Sequence, residues 1–94
     1  AEDWRQIKAE NDDITHRFTD LMTRGVPASS PEAMSVAEEL RQHMCHRYFT
    51  CSKELHAQIA ELNVCDERFA KLYEDVAGGL ATYVRDAVVA NSTR

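Results

Sequence analysis

Apolar residues recur at intervals of three to four along most of the chain, which is the spacing of an amphipathic α-helix. The first stripe predicts a helix from about Glu2 to Arg24. Its inward face is made of Trp4, Ile7, Ile14, Phe18, Leu21 and Met22. Gly25 is suited to end this helix, and residues 26–29 are expected to form a loop.

A second helix is predicted to start at Pro31, with Ser30 as its N-cap. Its apolar stripe is Met34, Ala37, Leu40, Met44, Tyr48 and, if the helix persists, Cys51. A third helix follows Ser52, and its expected inward residues are Leu55, Ile59 and Leu62.

Asp66 is suited to cap a short fourth helix, whose expected inward residues are Phe69, Leu72 and Tyr73. Gly78 and Gly79 then interrupt the chain before a last helix. The inward residues of that helix are Leu80, Tyr83, Val84, Ala87 and Val88. We therefore predict an all-α fold of about five helices packed around one core, forming a single domain over residues 1–94.

Composition narrows the functional classes. The 94 residues are 44% hydrophobic and 29% charged, an ordinary balance for one globular domain. There are 11 Lys and Arg against 16 Asp and Glu, and the formal net charge is −5. Because nucleic-acid affinity depends on clustered cations, we do not expect this segment to contact DNA by itself.

Cysteine usage and hydropathy indicate the cellular compartment. No apolar run approaches the roughly 20 residues that a membrane-spanning helix needs, and no signal-peptide pattern is present. The three cysteines are Cys45, Cys51 and Cys65. An odd number without a CxxC pair is typical of reduced thiols, so we expect a cytoplasmic protein.

Three polar residues fall on the apolar stripes. Asn11 projects between Ile7 and Ile14, Arg41 lies beside the second stripe, and Asn91 is one turn beyond Val88. A buried polar group without a partner costs roughly 1–3 kcal/mol, so each should bond to another protein group or border a polar-lined cleft. The sequence leaves both interpretations open.

A group of metal-ligating and nucleophilic residue types occupies the middle of the chain. It consists of His43, Cys45, His46, Cys51 and His56. At 100° per residue, His43 and His46 should point away from the Met44–Tyr48 stripe toward solvent, and no CxxC or HExxH motif supports a metal site. A Cys51–His56 nucleophile pair would also need an orienting group and oxyanion donors. We therefore expect no metal, no cofactor and no catalytic role.

A set of residues spread over the chain nevertheless forms a specific pattern. In the first half it includes Glu2-Asp3-Trp4, Phe18, Leu21-Met22, Gly25, Pro27, Ala37-Glu38 and Arg41-Gln42. In the second half it includes Cys51, Glu54, His56, Asp66-Glu67-Arg68-Phe69, Gly79-Leu80-Ala81, Tyr83, Arg85-Asp86-Ala87 and Ala90-Asn91. In order and spacing, over nearly all 94 residues, the chain resembles the TipAS antibiotic-recognition domain of MerR-family transcriptional regulators.

The resemblance implies a globin-like helical bundle without haem, in which thiopeptide antibiotics dock in a cleft. A disordered segment preceding the domain folds over the ligand in that family, and most of this segment is expected to lie outside the chain. The resemblance also implies DNA binding only through a winged-helix region outside these residues. The full-length regulator should be a homodimer and this domain alone a monomer.

One departure from the family pattern concerns covalent capture of the drug. The best-known member of the family has two cysteines seven residues apart in this region, and the second is the one associated with addition to a dehydroalanine of the antibiotic. Cys51 matches the first, whereas Gln58 occupies the second position and cannot attack an alkene. We therefore expect non-covalent binding of thiopeptide-like or other multidrug ligands. The expected ligand-binding residues, from stripe position and resemblance together, are Asn11, Leu40, Met44, Tyr48, Cys51, His56, Phe69 and Tyr83.

Two other functional classes stay open from the sequence. The domain could sense stress through a reactive thiol at Cys45 or Cys51, or it could be an interaction module whose partner is another protein. A concave pocket would favour the ligand-binding hypothesis, and an exposed flat apolar patch would favour a protein partner.

Overall fold

The computed structural model describes the backbone of residues 2–47 and 52–93, and the side chains in these ranges except those of residues 2–4, 47, 63 and 69. Within these ranges the chain forms five α-helices and no strand, which confirms the predicted fold class. The helices are α1 (Glu2–Thr23), α2 (Pro31–Arg47), α3 (Lys53–Cys65), α4 (Glu67–Glu74) and α5 (Leu80–Ser92).

The end of α1 is set by a glycine. Gly25 has a φ of +76°, a left-handed conformation that glycine adopts without steric cost. Its N–H donates to the Met22 carbonyl at 3.1 Å, and the Val26 N–H donates to the Leu21 carbonyl at 3.0 Å. These bonds satisfy carbonyl groups that the helix itself leaves without donors, so the helix ends at Thr23, one residue before the predicted Arg24.

Side-chain oxygens cap the starts of three helices. Ser30 Oγ accepts a hydrogen bond from the Ala33 N–H at 3.2 Å, and an Asp66 carboxylate oxygen accepts one from the Arg68 N–H at 3.0 Å. Both predicted caps are therefore confirmed. Ser52 Oγ accepts from the Leu55 N–H at 3.1 Å and caps α3 in the same way.

Helix α5 is the centre of the packing, because it contacts each of the other four helices. Its buried residues are Leu80, Ala81, Val84, Ala87, Val88 and Asn91. Across the core, the rings of Phe18 and Tyr83 meet edge to face with centroids 6.3 Å apart. The Tyr83 hydroxyl donates to the Val26 carbonyl at 2.7 Å and ties α5 to the loop between α1 and α2.

The predicted inward face of α3 is wrong in part. Leu62 is 68% exposed and Leu55 is also exposed, whereas His56 and Ala60 are buried. Helix α3 packs most extensively against α5, and the face carrying His56 and Ala60 is the one that α5 covers. Leu72 of α4, also predicted to point inward, is 66% exposed.

Of the helices in the described ranges, none combines the length and the apolar character that crossing a bilayer would require.

Candidate ligand-binding cleft

A cleft of about 720 Å³ opens between the helices and is lined by residues of all five, together with Val76, which follows α4. We call its buried lining residues the floor: Leu40, His56, Ala60, Ala81, Val84 and Val88. We call its exposed lining residues the mouth: Lys8, Asn11, Asp12, Leu72 and Val76. Small-molecule sites typically measure about 300–1,000 Å³ and are mostly apolar, so this cleft has the size and character of one.

Four of the eight expected ligand-binding residues line the cleft. Leu40 and His56 lie in its floor, Asn11 lies at its mouth, and Met44 is half-buried between them. Tyr48 and Cys51 fall outside the described residues, as does the side chain of Phe69.

The structure places Tyr83 elsewhere. Its ring packs against Phe18 and its hydroxyl donates to the Val26 carbonyl, so the half-buried side chain packs against the core and does not line the cleft. Sequence periodicity could not separate these two roles, because core and cleft residues of α5 lie on adjacent faces of one buried helix.

Several lining residues were not among the expected ligand contacts. They include His43, Ile59, Val64, Leu72, Val76 and Arg85. Ile59 and Leu72 had been expected in the core. The signal that could have identified Leu72 and Val76 is their spacing of four residues, which places two apolar side chains on the same side of the chain at the end of α4.

His43 corrects the expectation of a solvent-facing histidine. Its side chain is 8% exposed, and its Nε2 atom lies 3.1 Å from a carboxylate oxygen of Glu10. Helix α1 packs against α2 on this side and covers the imidazole. His46, one turn later, is exposed as predicted.

His56 is the polar residue of the floor. It is 3% exposed, and its Nδ1 atom is buried without a hydrogen-bond partner in the described part of the chain. Burial is the largest cause that lowers the pKa of His56 from 6.5 to about 4; the charge of Arg41 contributes to the lowering, and the charge of Glu38 opposes it. The imidazole is therefore neutral at pH 7.

Glu38, Arg41 and Asn91 form a polar cluster that connects α2 to α5. Arg41 Nε donates to Glu38 Oε1 at 3.0 Å, and Asn91 Nδ2 donates to the same oxygen at 3.0 Å. Gln42 Nε2 donates to Glu38 Oε2 at 2.8 Å. The hydrogen bond from Arg41 is the largest cause that lowers the pKa of Glu38 from 4.5 to about 2; Asn91 and Gln42 lower it too, whereas burial opposes them.

This polar cluster answers two of the questions that the sequence left open. Arg41 and Asn91 have hydrogen-bond partners inside the protein, as most buried polar groups do. Asn11, in contrast, is exposed and borders the cleft.

The charged groups at and beside the mouth are paired with opposite charges. Lys8 Nζ lies 3.2 Å from Asp12 Oδ2, and Arg85 Nε lies 2.6 Å from Asp86 Oδ1. Because each cation has an adjacent carboxylate, these pairs add little net charge to the opening. The arrangement favours an uncharged, largely apolar ligand.

The described cysteines are not part of the cleft. Cys65 is exposed at the end of α3, and Cys45 is half-buried with its sulfur 3.8 Å from Arg41 Nη1. Gln58 is exposed on α3 and is not a lining residue. No three His, Cys, Asp or Glu side chains in the described ranges, which exclude Cys51, are grouped so that they could hold a metal ion.

Comparison with known proteins connects the cleft to a family. The profile of the TipAS antibiotic-recognition domain matches residues 1–91. HTH-type transcriptional activators TipA of Streptomyces coelicolor and Streptomyces lividans are each 43% identical to the chain over 93 residues, which is 99% of the chain and 37% of the relative. The HTH-type transcriptional activator mta of Bacillus subtilis is 30% identical over 89 residues, which is 95% of the chain and 34% of the relative. The chain thus spans little more than a third of these relatives.

Two solved structures have the same fold. One is TipAS of Streptomyces lividans in complex with the thiopeptide nosiheptide, with a TM-score of 0.95 and 42% identity over 100% of this chain and 66% of that one. The other is the antibiotic-binding domain of a TipA-class multidrug resistance regulator, with a TM-score of 0.86 and 42% identity over 97% of both chains. The chain belongs to the family of TipAS antibiotic-recognition domains.

Proposed function

We propose that this chain is the ligand-sensing domain of a MerR-family transcriptional activator and that its cleft binds thiopeptide-like antibiotics or other multidrug ligands. The observation that carries the proposal is the apolar cleft of about 720 Å³ in a fold that matches the nosiheptide complex of TipAS. The transcriptional activators among the relatives support the regulatory role. A sensing domain of this kind needs no catalytic residues.

The proposal extends to a full-length regulator that contains this domain. In it, DNA is bound by a winged-helix region outside these 94 residues, and the regulator acts as a cytoplasmic homodimer. The formal charge of −5 supports this division of labour, because an acidic domain is poorly suited to bind phosphate groups.

A thermal-shift titration with nosiheptide tests the proposal. A ligand that binds only the native state stabilises it by roughly 2.7 kcal/mol at a hundredfold excess over the dissociation constant. We expect a concentration-dependent rise in Tm. An unchanged Tm with nosiheptide and with other thiopeptides at saturating solubility would contradict the proposed ligand class and leave the fold assignment intact.

Binding is proposed to be non-covalent. Gln58 stands where the resemblance implies a drug-attacking cysteine, and neither Cys45 nor Cys65 lines the cleft. Intact-mass analysis after incubation with nosiheptide should therefore give the mass of the unmodified protein. An adduct in the unaltered protein would mean that one of its own cysteines reacts, and mapping the modified peptide would identify it.

The variant Gln58→Cys tests the same point in the opposite direction. It restores a thiol at the family position on α3, next to the lining residue Ile59. We expect a mass increase of one drug molecule, blocked by prior alkylation. Binding of the drug by Gln58→Cys without any adduct would show that position 58 does not face the reactive part of the ligand.

Thiol-based sensing is the second candidate, and one contact favours it. The sulfur of Cys45 lies 3.8 Å from the Arg41 guanidinium, so the surroundings of this thiol differ from those of the exposed Cys65. Timed alkylation followed by mass spectrometry distinguishes the candidates. A selectively fast reaction at Cys45 would support sensing, whereas slow and equal labelling of all three cysteines would contradict it.

A further inference from the structure

The polar groups of the cleft differ in whether they already have a hydrogen-bond partner that a ligand would have to replace. At the mouth, Lys8 and Asp12 are paired with each other, and Asn11 is exposed to water that competes for its hydrogen bonds. Thr15, between mouth and floor, donates its hydroxyl to the Asn11 carbonyl at 2.9 Å. A ligand contact at these positions replaces an existing bond and therefore adds little affinity.

The floor offers a different situation. Its described residues are apolar except for His56, which is 3% exposed and whose Nδ1 has no hydrogen-bond partner there. An apolar side chain would pack at this position without leaving a polar atom unsatisfied, as Ala60 does one turn later. No hydrogen bond of the described residues involves the imidazole, so its ring nitrogens make no structural contact there.

The charged residues near His56, Glu38 and Arg41, do not supply a hydrogen-bond partner for its imidazole. Glu38 is occupied by donors from Arg41, Gln42 and Asn91, so its carboxylate is not offered to the cleft. The positive charge of Arg41 acts on His56 together with burial, and both disfavour a second positive charge. A neutral imidazole carries one N–H donor and one acceptor nitrogen, which match an uncharged polar group.

We propose that His56 is the specificity-determining contact of the cleft and that it exchanges a hydrogen bond with an uncharged polar group of the ligand, such as a peptide amide. This inference rests on the proposed function. It assigns to His56 the selection among ligands that fit the apolar cleft, because a ligand without a matching polar group leaves the imidazole unsatisfied inside the complex.

Binding constants of four variants test this role, with nosiheptide as the probe and calorimetry at pH 7. His56→Phe keeps a ring and removes both nitrogens, so we expect a loss of affinity of roughly tenfold or more. His56→Gln retains a donor and an acceptor and should stay within about threefold of the unaltered protein. His16→Gln and His46→Gln change exposed histidines that do not line the cleft, so both variants should bind normally.

A measurement on the unaltered protein covers the case in which His56→Phe folds poorly. In protein labelled with ¹⁵N-histidine, nosiheptide should shift the imidazole nitrogen signals of His56 and leave those of exposed His16 in place. Unchanged His56 signals at saturation, or full affinity in a folded His56→Phe, would overturn the inference while the proposed function stands. If the unaltered protein does not bind nosiheptide or any other thiopeptide, the proposed function fails and this inference fails with it.

Discussion

Acidification should destabilise this domain through His56 before it affects the carboxylates. The folded protein has a His56 pKa of about 4, whereas an unfolded histidine has its ordinary value of 6.5. As pH falls below 6.5, His56 becomes protonated in the unfolded chain and stays neutral in the folded chain, so the free energy of unfolding decreases. The decrease ends near pH 4, where the folded protein also becomes protonated.

The size of the effect follows from the two pKa values. At about 1.4 kcal/mol per pKa unit, the full difference corresponds to about 3.5 kcal/mol. About 1.4 kcal/mol should be lost by pH 5.5 and about 2.5 kcal/mol by pH 4.5. Glu38 acts in a lower window: its pKa of about 2 against an ordinary 4.5 stabilises the fold above pH 4.5, and this contribution disappears between pH 4.5 and 2. The two residues can therefore be separated by pH.

Urea denaturation at pH 7.0, 5.5 and 4.5 is the assay, applied to the unaltered protein and to two variants. His56→Gln keeps a polar side chain that cannot be protonated. The free energy of unfolding of this variant should therefore decline less than that of the unaltered protein, by about 1.4 kcal/mol at pH 5.5 and about 2.5 kcal/mol at pH 4.5. His16→Gln removes an exposed histidine of α1 and should follow the unaltered protein. If His56→Gln lost as much stability as the unaltered protein between pH 7.0 and 4.5, the acid sensitivity would not come from His56.

Three further predictions concern the framework of the cleft. Asn91→Ala removes a fully buried side chain and its hydrogen bond to Glu38, so urea denaturation should show a loss of roughly 2–3 kcal/mol, against less than about 0.5 kcal/mol for exposed Asn11→Ala. Tyr83→Phe removes the bond to the Val26 carbonyl; it should lower stability by roughly 1 kcal/mol and leave nosiheptide affinity unchanged, and a large loss of affinity would place Tyr83 in the site after all. Gly79→Ala should destabilise by roughly 1 kcal/mol because Gly79 has a φ of +86°, whereas Gly78→Ala should be neutral or slightly stabilising, since a Cβ meets open space at both positions. Equal effects of the two glycine substitutions on Tm would contradict that explanation.

Helix positions were predictable because the signals that set them are local. Ser30, Pro31 and Asp66 act on backbone groups within three residues, and Gly25 ends α1 through its own backbone conformation. The periodic stripes of α1 and α5 likewise identified buried residues such as Phe18 and Val88 correctly. These determinants need no knowledge of which helices are neighbours.

The resemblance to the TipAS family supplied the idea of a cleft, and only the tertiary structure decided which residues line it. On α3, the sequence predicts that the face with Leu62 is buried. In the structure α3 packs against α5 with the face that carries His56 and Ala60, and Leu62 is exposed. His43 is covered by α1, although helical geometry alone directs it away from the apolar stripe of its own helix. Tyr83 is predicted to line the cleft, whereas in the structure it packs against the core. The carbonyl that its hydroxyl contacts is 57 residues away in sequence, so no local pattern indicates this contact. Burial depends on contacts between distant segments, so the place of His56 in the otherwise apolar floor of the cleft could be established only after the helices had been placed against one another.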